Sequence, residues 1–198
     1  MILSIVATKT NISYKEQEIR LRKKYKEIGS GRDAEIYKVS SNRVIKLHRM
    51  FTGTHHNDPY WNFLRIMPEN NIYFPRIFDI KLYRFKSLDR VEEYTIIKME
   101  HLIKLNDFSN RGQVLRAAIQ DFGFPKCAED KFISRLANWA LGWKRKQKNM
   151  QLNPQTQMAM DVLDTLKSLS CGDPDLHEGN FMVRKKEHSQ LVIIDPMA

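Results

Sequence analysis

The chain has 198 residues and a mass of 23.4 kDa, room for one sizeable core or two small lobes sharing one, but not for two full domains and a linker. Hydrophobic residues make up 42% and charged residues 28%, with 8 Gly and 7 Pro, which excludes collagen-like, low-complexity and disordered classes. Lys and Arg number 33 against 23 Asp and Glu, a formal charge of +10 that draws the chain toward polyanions such as nucleic acid, nucleotides or acidic proteins without naming one.

The opening stretch, Met1 to Ala7, is apolar but short, has no basic leader and soon meets Lys9. It reads as an edge strand rather than a secretion signal. No run approaches the roughly 18 apolar residues of a membrane span, so a soluble protein without membrane contact is expected. Two cysteines, Cys127 and Cys171, make neither a disulfide framework nor a zinc site and point to a cytoplasmic protein. Basic residues cluster at Arg20, Arg22, Lys23, Lys24 and Lys26 and again at Lys144, Arg145, Lys146 and Lys148. Each cluster fits a nucleic-acid patch and a solvated face equally well.

The first half reads as strands. Tyr25 to Ile28 leads into a glycine turn, Ala34 to Val39 follows, and Arg43-Val44-Ile45-Lys46-Leu47 alternates after the turn signal Ser40-Ser41-Asn42. Asp58-Pro59 opens a short helix to Met67, with proline in its first turn. Arg76 to Leu82 and Glu93 to Met99 are two further strands. The second half is helical: Ile133, Leu136, Ala137, Ala140 and Leu141 repeat at helical spacing, as do Ala159, Val162, Leu163, Leu166 and Leu169. The latter helix opens at Asn153-Pro154, a capping residue followed by a proline suited to the first helical position. After Ser170 a polar loop precedes a strand pair, Phe181-Met182-Val183 and Leu191-Val192-Ile193-Ile194. The fold class expected is α+β, a small β-rich lobe followed by a mainly helical one ending in a β ribbon.

Three motifs carry chemistry. Gly29-Ser30-Gly31-Arg32-Asp33-Ala34 lies between two predicted strands, where glycines let a backbone approach phosphate closely; alone the signal is weak, and a plain hairpin is the commoner meaning. Lys46, on the strand after that hairpin, is placed to reach the same phosphates, and alone it reads as an ordinary exposed strand lysine. The strongest is Asp173-Pro174-Asp175-Leu176-His177-Glu178-Gly179-Asn180, followed by Ile193-Ile194-Asp195. Phosphoryl transfer needs a carboxylate near the incoming hydroxyl and hard oxygen ligands holding Mg²⁺ against the phosphates. Asp175 and Asn180 are close enough in the loop to converge on one nucleotide. Pairing of the last strand onto Phe181-Met182-Val183 returns Asp195 to the same place as a second metal ligand.

Glycine hairpin, strand lysine, D-x-x-x-x-N loop and apolar-apolar-Asp occur in the order of the protein-kinase signature set. From about Tyr25 to Asp195 the chain resembles the protein-kinase-like superfamily. The resemblance implies a bilobal fold, with residues 1–102 as a β-rich N-lobe and 103–198 as a reduced helical C-lobe. It makes Asp175 the catalytic base, Asn180 and Asp195 the metal ligands and Lys46 the phosphate-binding lysine. Ile97-Lys98-Met99-Glu100-His101-Leu102 resembles the hinge, the backbones of Glu100 and Leu102 meeting adenine. Ile28, Ile36 and Val44 form its apolar sandwich, and Gly29, Ser30 and Gly31 cover the phosphates. The closest likeness is to the early Ser/Thr protein kinases of small lytic bacteriophages, carried by Asn42-Arg43-Val44-Ile45-Lys46, the D-x-H-x-G-N loop and Asp195-Pro196. ATP and Mg²⁺ as cofactors, and host proteins of transcription and RNA metabolism as substrates in the host cytoplasm, follow from that likeness.

Several features depart from the pattern. Asp173 stands where most protein kinases have a histidine. The helix from Asp58 to Met67 has no glutamate to pair with Lys46, so that pair is absent or replaced by Tyr60 or Asn62. The chain stops three residues after Asp195, so the C-lobe is expected to lack the activation segment and later helices, and substrate binding falls to residues 103–170, the basic run near Lys146 or a partner protein. Two alternatives follow: a kinase-like binding module that inhibits a host complex, and a small-molecule phosphotransferase, suggested by Asp175-Leu176-His177-Glu178-Gly179-Asn180. A metal cluster of His55, His56 and Asp58 is rejected, because nothing else in the sequence completes it.

Overall fold

The computed structural model describes residues 7–50, 58–88, 91–124, 127–140, 152–168, 176–184 and 189–194, and over these the chain is α+β. In order the elements are β1 (Thr8–Thr10), α1 (Tyr14–Lys24), β2 (Lys26–Ser30), β3 (Ala34–Lys38), β4 (Arg43–Arg49), α2 (Pro59–Ile66), β5 (Ile77–Lys86), β6 (Val91–Glu100), β7 (Ile103–Lys104), α3 (Arg111–Asp121), α4 (Phe132–Ala140), α5 (Pro154–Ser168), β8 (Phe181–Arg184) and β9 (Gln190–Ile193). The chain divides into two units, one of residues 2–61 and 76–101 and the other of 62–75 and 102–198, the division falling within α2. Among the described residues no helix is long and apolar enough to cross a membrane.

The first unit is a six-stranded sheet in the order β1-β5-β6-β4-β3-β2. Its pairs are antiparallel except β1, which lies parallel to β5 with Thr8 opposite Tyr83. The edge strand expected at Met1 to Ala7 falls almost wholly outside the described residues; the edge strand observed begins at Thr8. Across a strand, side chains alternate between faces and paired residues share one. One face therefore carries Tyr37, Ile45, Leu47 and Tyr94, which form a buried core with Tyr14 and Leu21 of α1.

Helix α1 was not expected; the sequence reads as strands from its start. Only Tyr14, Glu18 and Leu21 of its residues are buried, and a carboxylate among three anchors weakens the apolar periodicity. Its start is nonetheless written in the chain. Ser13 accepts a hydrogen bond from the Glu16 backbone N–H at 3.3 Å, and the Glu16 carboxylate accepts from the Ser13 N–H at 2.8 Å, a capping box. Much of the first basic cluster is explained by this helix. Arg22, Lys23 and Lys24 form its last turn, where cations complement the helix dipole, and Arg22 pairs with Glu18 and Glu27 at 2.9 and 3.1 Å.

The second unit packs α3, α4 and α5 with a three-stranded ribbon in the order β7-β8-β9. Helix α5 begins as its sequence indicates: the Asn153 side chain accepts from the Thr156 N–H at 2.9 Å and Pro154 is the first helical residue. Ala159, Val162, Leu163 and Leu166 are all buried, as are Phe132, Ile133 and Leu136 of α4. Tyr73, on the segment after α2, stacks edge-on with Phe122. Its hydroxyl donates to Asp121 at 2.7 Å and accepts from Thr156 at 3.3 Å, tying this segment to α3 and α5.

Candidate functional site

The glycine hairpin, the strand lysine and the hinge segment as far as Glu100 belong to the sheet unit. Gly29 lies opposite Ile36, Ile36 opposite Lys46, and Lys46 opposite Ile97, with Val44 opposite Met99. Gly29, Ile36, Val44, Lys46, Ile97 and Met99 therefore share one sheet face, the reverse of the α1 core. Ile28 falls at the register shift between Glu27 and Gly29, a β-bulge that re-aims the strand just before the glycines.

The hairpin does not need its glycines for its own geometry. Among the described glycines only Gly123 has a positive φ. A Cβ at Gly29 would meet Ile36 carbons at 3.8 Å, and one at Gly31 the Ala34 carbonyl at 3.9 Å, both ordinary contacts. The Gly31 N–H closes the turn by donating to the Ala34 carbonyl at 2.8 Å, so it is not aimed outward. Strand β3 is anchored from behind, where the Tyr14 hydroxyl donates to the Glu35 carboxylate. Burial first, then this bond to Glu35, holds the Tyr14 phenol far above its ordinary pKa.

Lys46 is not the exposed strand lysine that its alternating sequence permits; it is 7% exposed. Its strand is buried from Val44 to His48, because α1 covers one face and the start of α2 lies on the other. The Lys46 ammonium sits 3.3 Å from the centroid of the Tyr60 ring, a cation–π contact. His48, two residues on and on the same face, packs its ring 5.0 Å from that of Tyr60. Its Nε2 lies 3.1 and 3.2 Å from the two oxygens of Asp58. Asp58 also caps α2 by accepting from the Trp61 N–H at 2.8 Å. Asp58 is thus occupied with His48 and the helix, while His55 and His56 lie outside the described residues. His48 was missed by the sequence reading; its position two residues from Lys46 was the available signal.

At the end of β6, Glu100 is 8% exposed and bonds reciprocally with Arg76. Its N–H donates to the Arg76 carbonyl at 3.0 Å and its carboxylate accepts from the Arg76 N–H at 2.9 Å. The His101 N–H donates to the Asn42 carbonyl at 3.0 Å, and the imidazole Nδ1 lies 3.0 Å from the Ser41 carbonyl, which fixes a proton on Nδ1.

The second unit holds Leu102 and the loop before β8. Asp175 and Asp195 lie outside the described residues, as do Asp173, Cys171 and the basic run from Lys144 to Lys148. Leu176 is buried, and Glu178–Asn180 form a single 3₁₀ turn. His177 shapes that turn: its Nδ1 accepts from the Gly179 N–H at 3.0 Å. A Cβ at Gly179 would stand 2.6 Å from a carbon of the imidazole, so a larger residue there would require the His177 ring to move. Glu178 accepts from Asn106 at 3.0 Å and from Arg111 at 2.6 Å. The Asn106 bond foremost, with Arg111 beside it, holds the Glu178 carboxyl below its ordinary pKa.

The ribbon register brings the chain back to this turn. Phe181 pairs with Ile193 and the Ile194 N–H donates to the Asn180 carbonyl at 3.0 Å, so the residue preceding Asp195 is hydrogen-bonded to Asn180. The ribbon is fixed in turn to the segment after α2. Arg184, 7% exposed, donates to the carbonyls of Ile72 and Phe74, each at 2.8 Å, and the Ile193 N–H donates to the intervening Tyr73 carbonyl at 2.7 Å. Three successive carbonyls are thus satisfied by β8 and β9.

No protein-family model matches the chain, and no curated protein matches it.

Proposed function

We propose that the chain is an ATP- and Mg²⁺-dependent Ser/Thr protein kinase with a bilobal protein-kinase-like fold, similar to the early kinases of small lytic bacteriophages and acting on host proteins, including those of transcription or RNA metabolism. The observation that carries the reading is the sheet register that sets Gly29, Ile36, Val44 and a buried Lys46 on one face. Two glycines that their hairpin does not require, one of them on the sheet face that carries the buried Lys46, suit a phosphate-bearing ligand lying against that face. In this reading Ile28, Ile36 and Val44 flank adenine, and Lys46 neutralises phosphate charge. With the Glu100 N–H committed to Arg76, recognition at Glu100 falls to its carbonyl, alongside the backbone of Leu102.

The donor set of Asn180 and Asp195, an amide oxygen and a carboxylate, is the hard oxygen type that Mg²⁺ takes. The Ile194–Asn180 backbone bond supports a common site for the two. When bound, the ion would supply charge neutralisation at the phosphates. Asp175 then acts on the acceptor, orienting the Ser or Thr hydroxyl and receiving its proton as the hydroxyl oxygen attacks the γ-phosphorus of ATP, while the bond from that phosphorus to the β–γ bridging oxygen breaks and ADP leaves.

The test is incubation of the chain with γ-labelled ATP, Mg²⁺ and host lysate. Labelled proteins that vanish with Asp175→Asn or Asp195→Ala support the assignment. A wild-type chain that transfers no label, or an Asp195→Ala variant with full activity, refutes it.

A further inference from the structure

The sheet register gathers cations that the sequence scatters. At one end of the first unit's sheet, Lys26 of β2 lies opposite Lys38 of β3, Lys38 opposite Val44 of β4, Val44 opposite Met99 of β6, and Met99 opposite Ile77 of β5. Arg43 and Arg76 stand one residue beyond that row, and Lys24 ends α1, which runs straight into β2. All five cations are exposed, and the strand spacing spreads them over about 19 Å of strand ends. Lys26 and Lys38 face each other directly, a like-charge pair that costs the fold stability and that a bound polyanion relieves. The carboxylates along this rim are already committed: Glu27 to Arg22 at 3.1 Å, Asp79 to Lys98 at 3.0 Å, and Glu100 to the Arg76 N–H at 2.9 Å. Two rings punctuate the row. Tyr25, half-buried, has the Lys24 ammonium 5.2 Å from its centroid. Phe78, 49% exposed, sits at the register shift near the start of β5 with the Arg43 guanidinium 4.9 Å from its centroid.

We propose that this end of the sheet binds single-stranded nucleic acid, the phosphates following Lys26, Lys38, Arg43 and Arg76 and a base stacking on Phe78. Cations alternating with accessible rings are the chemistry of a surface that tracks a backbone and stacks unpaired bases. The chain's charge of +10 attracts polyanions in general; the rim is where the fold concentrates that attraction beside a ring. An acidic protein would meet the same cations and leave the exposed ring without a purpose, and a duplex keeps its base faces stacked inside. The inference does not depend on phosphoryl transfer, since none of these side chains has a part in the reaction proposed above.

The test is fluorescence anisotropy of a labelled oligouridylate with the full chain, in the absence of ATP. The single strand should bind more tightly than a duplex of the same length. Log affinity should fall linearly with log salt, and each of Lys26→Gln, Lys38→Gln and Arg43→Gln should make that slope shallower by about 0.7. Phe78→Ala should weaken binding by about tenfold with the slope unchanged. Lys26→Gln also controls for folding: relief of the like-charge pair should hold the urea midpoint or raise it while affinity falls, a combination that structural damage does not produce. Slopes unmoved by the three substitutions, or moved equally by Lys131→Gln in the second unit, overturn the site, as does a wild-type chain that binds no oligouridylate. Displacement of the oligonucleotide by polyglutamate of equal charge, with Phe78→Ala binding as the wild type does, overturns it in favour of an acidic protein partner.

Discussion

Arg184 offers the sharpest energetic test of how the ribbon is held. Arg184 is 7% exposed, and its guanidinium donates hydrogen bonds of 2.8 Å to the carbonyls of Ile72 and Phe74. Bonds to a charged donor contribute about 1.5–3 kcal/mol each, and orphaning a buried carbonyl costs about 1–3 kcal/mol. Arg184→Met removes both bonds and recovers part of the loss through apolar burial of the new side chain, leaving a net cost of about 4 kcal/mol. The Ile193 N–H bonds the Tyr73 carbonyl lying between those two acceptors, so its hydrogen exchange reports the opening directly. A loss of about 4 kcal/mol corresponds to roughly a thousandfold faster exchange at Ile193, if that amide exchanges through the opening of this joint. Arg184→Lys keeps the charge but loses the fork that spans two carbonyls, and should fall about midway on a logarithmic scale. Acceleration of less than about threefold in Arg184→Met would refute the claim that this side chain fastens the ribbon.

Three further outcomes follow from the geometry. Gly29→Ala and Gly31→Ala should leave the urea midpoint unchanged or slightly raised, since an added Cβ meets only ordinary contacts and reduces unfolded-chain entropy by about 0.4–1 kcal/mol; ATP-analogue binding by calorimetry should weaken by about tenfold for an alanine methyl in the phosphate path. Asn153→Ala should destabilise the chain by about 1 kcal/mol in urea titration, the cost of an N-cap side chain, because the bond to the Thr156 N–H disappears. Glu178 should titrate below ordinary glutamates when followed by carboxyl NMR, and Asn106→Ala or Arg111→Ala should move it upward. A depressed folded-state pKa means that its contribution is complete above the unfolded glutamate value and is lost as pH falls through the folded one; anchoring of the 176–180 loop therefore weakens only in acid, below the ordinary glutamate range.

Much of the framework is legible in the chain because local signals agree with one another. Helix α5 has period, cap and proline all pointing to one start. The ribbon follows from two apolar runs around a polar loop, and its register, Phe181 with Ile193, is the one the apolar pattern requires. Helix α3 buries Val114, Leu115, Ala118 and Ile119, a helical spacing, but it has Gly112 in its first turn and no side-chain cap at Asn110, so no start signal announces it. Parallel pairing of β1 with β5 joins residues some 75 apart in sequence, Thr8 with Tyr83, and neither three-residue run nor turn chemistry encodes such a partner.

The candidate site divides along the same line. Which residues share a face with Lys46 follows from period-two alternation once the strands are placed, and Gly29, Ile36 and Val44 could be set beside it from sequence. What could not be read is the burial of the lysine. A strand written Arg43-Val44-Ile45-Lys46-Leu47-His48 alternates as though one side met water, yet from Val44 to His48 every residue is buried. The polar side is closed by Asp58 and Tyr60, residues whose local pattern speaks only of a helix start. Asp58 serves that start and, through His48, the face opposite it. A residue whose local role is already complete gives no sign in sequence of a second one, and that second role turns an ordinary-looking strand lysine into a desolvated ammonium seated on a ring.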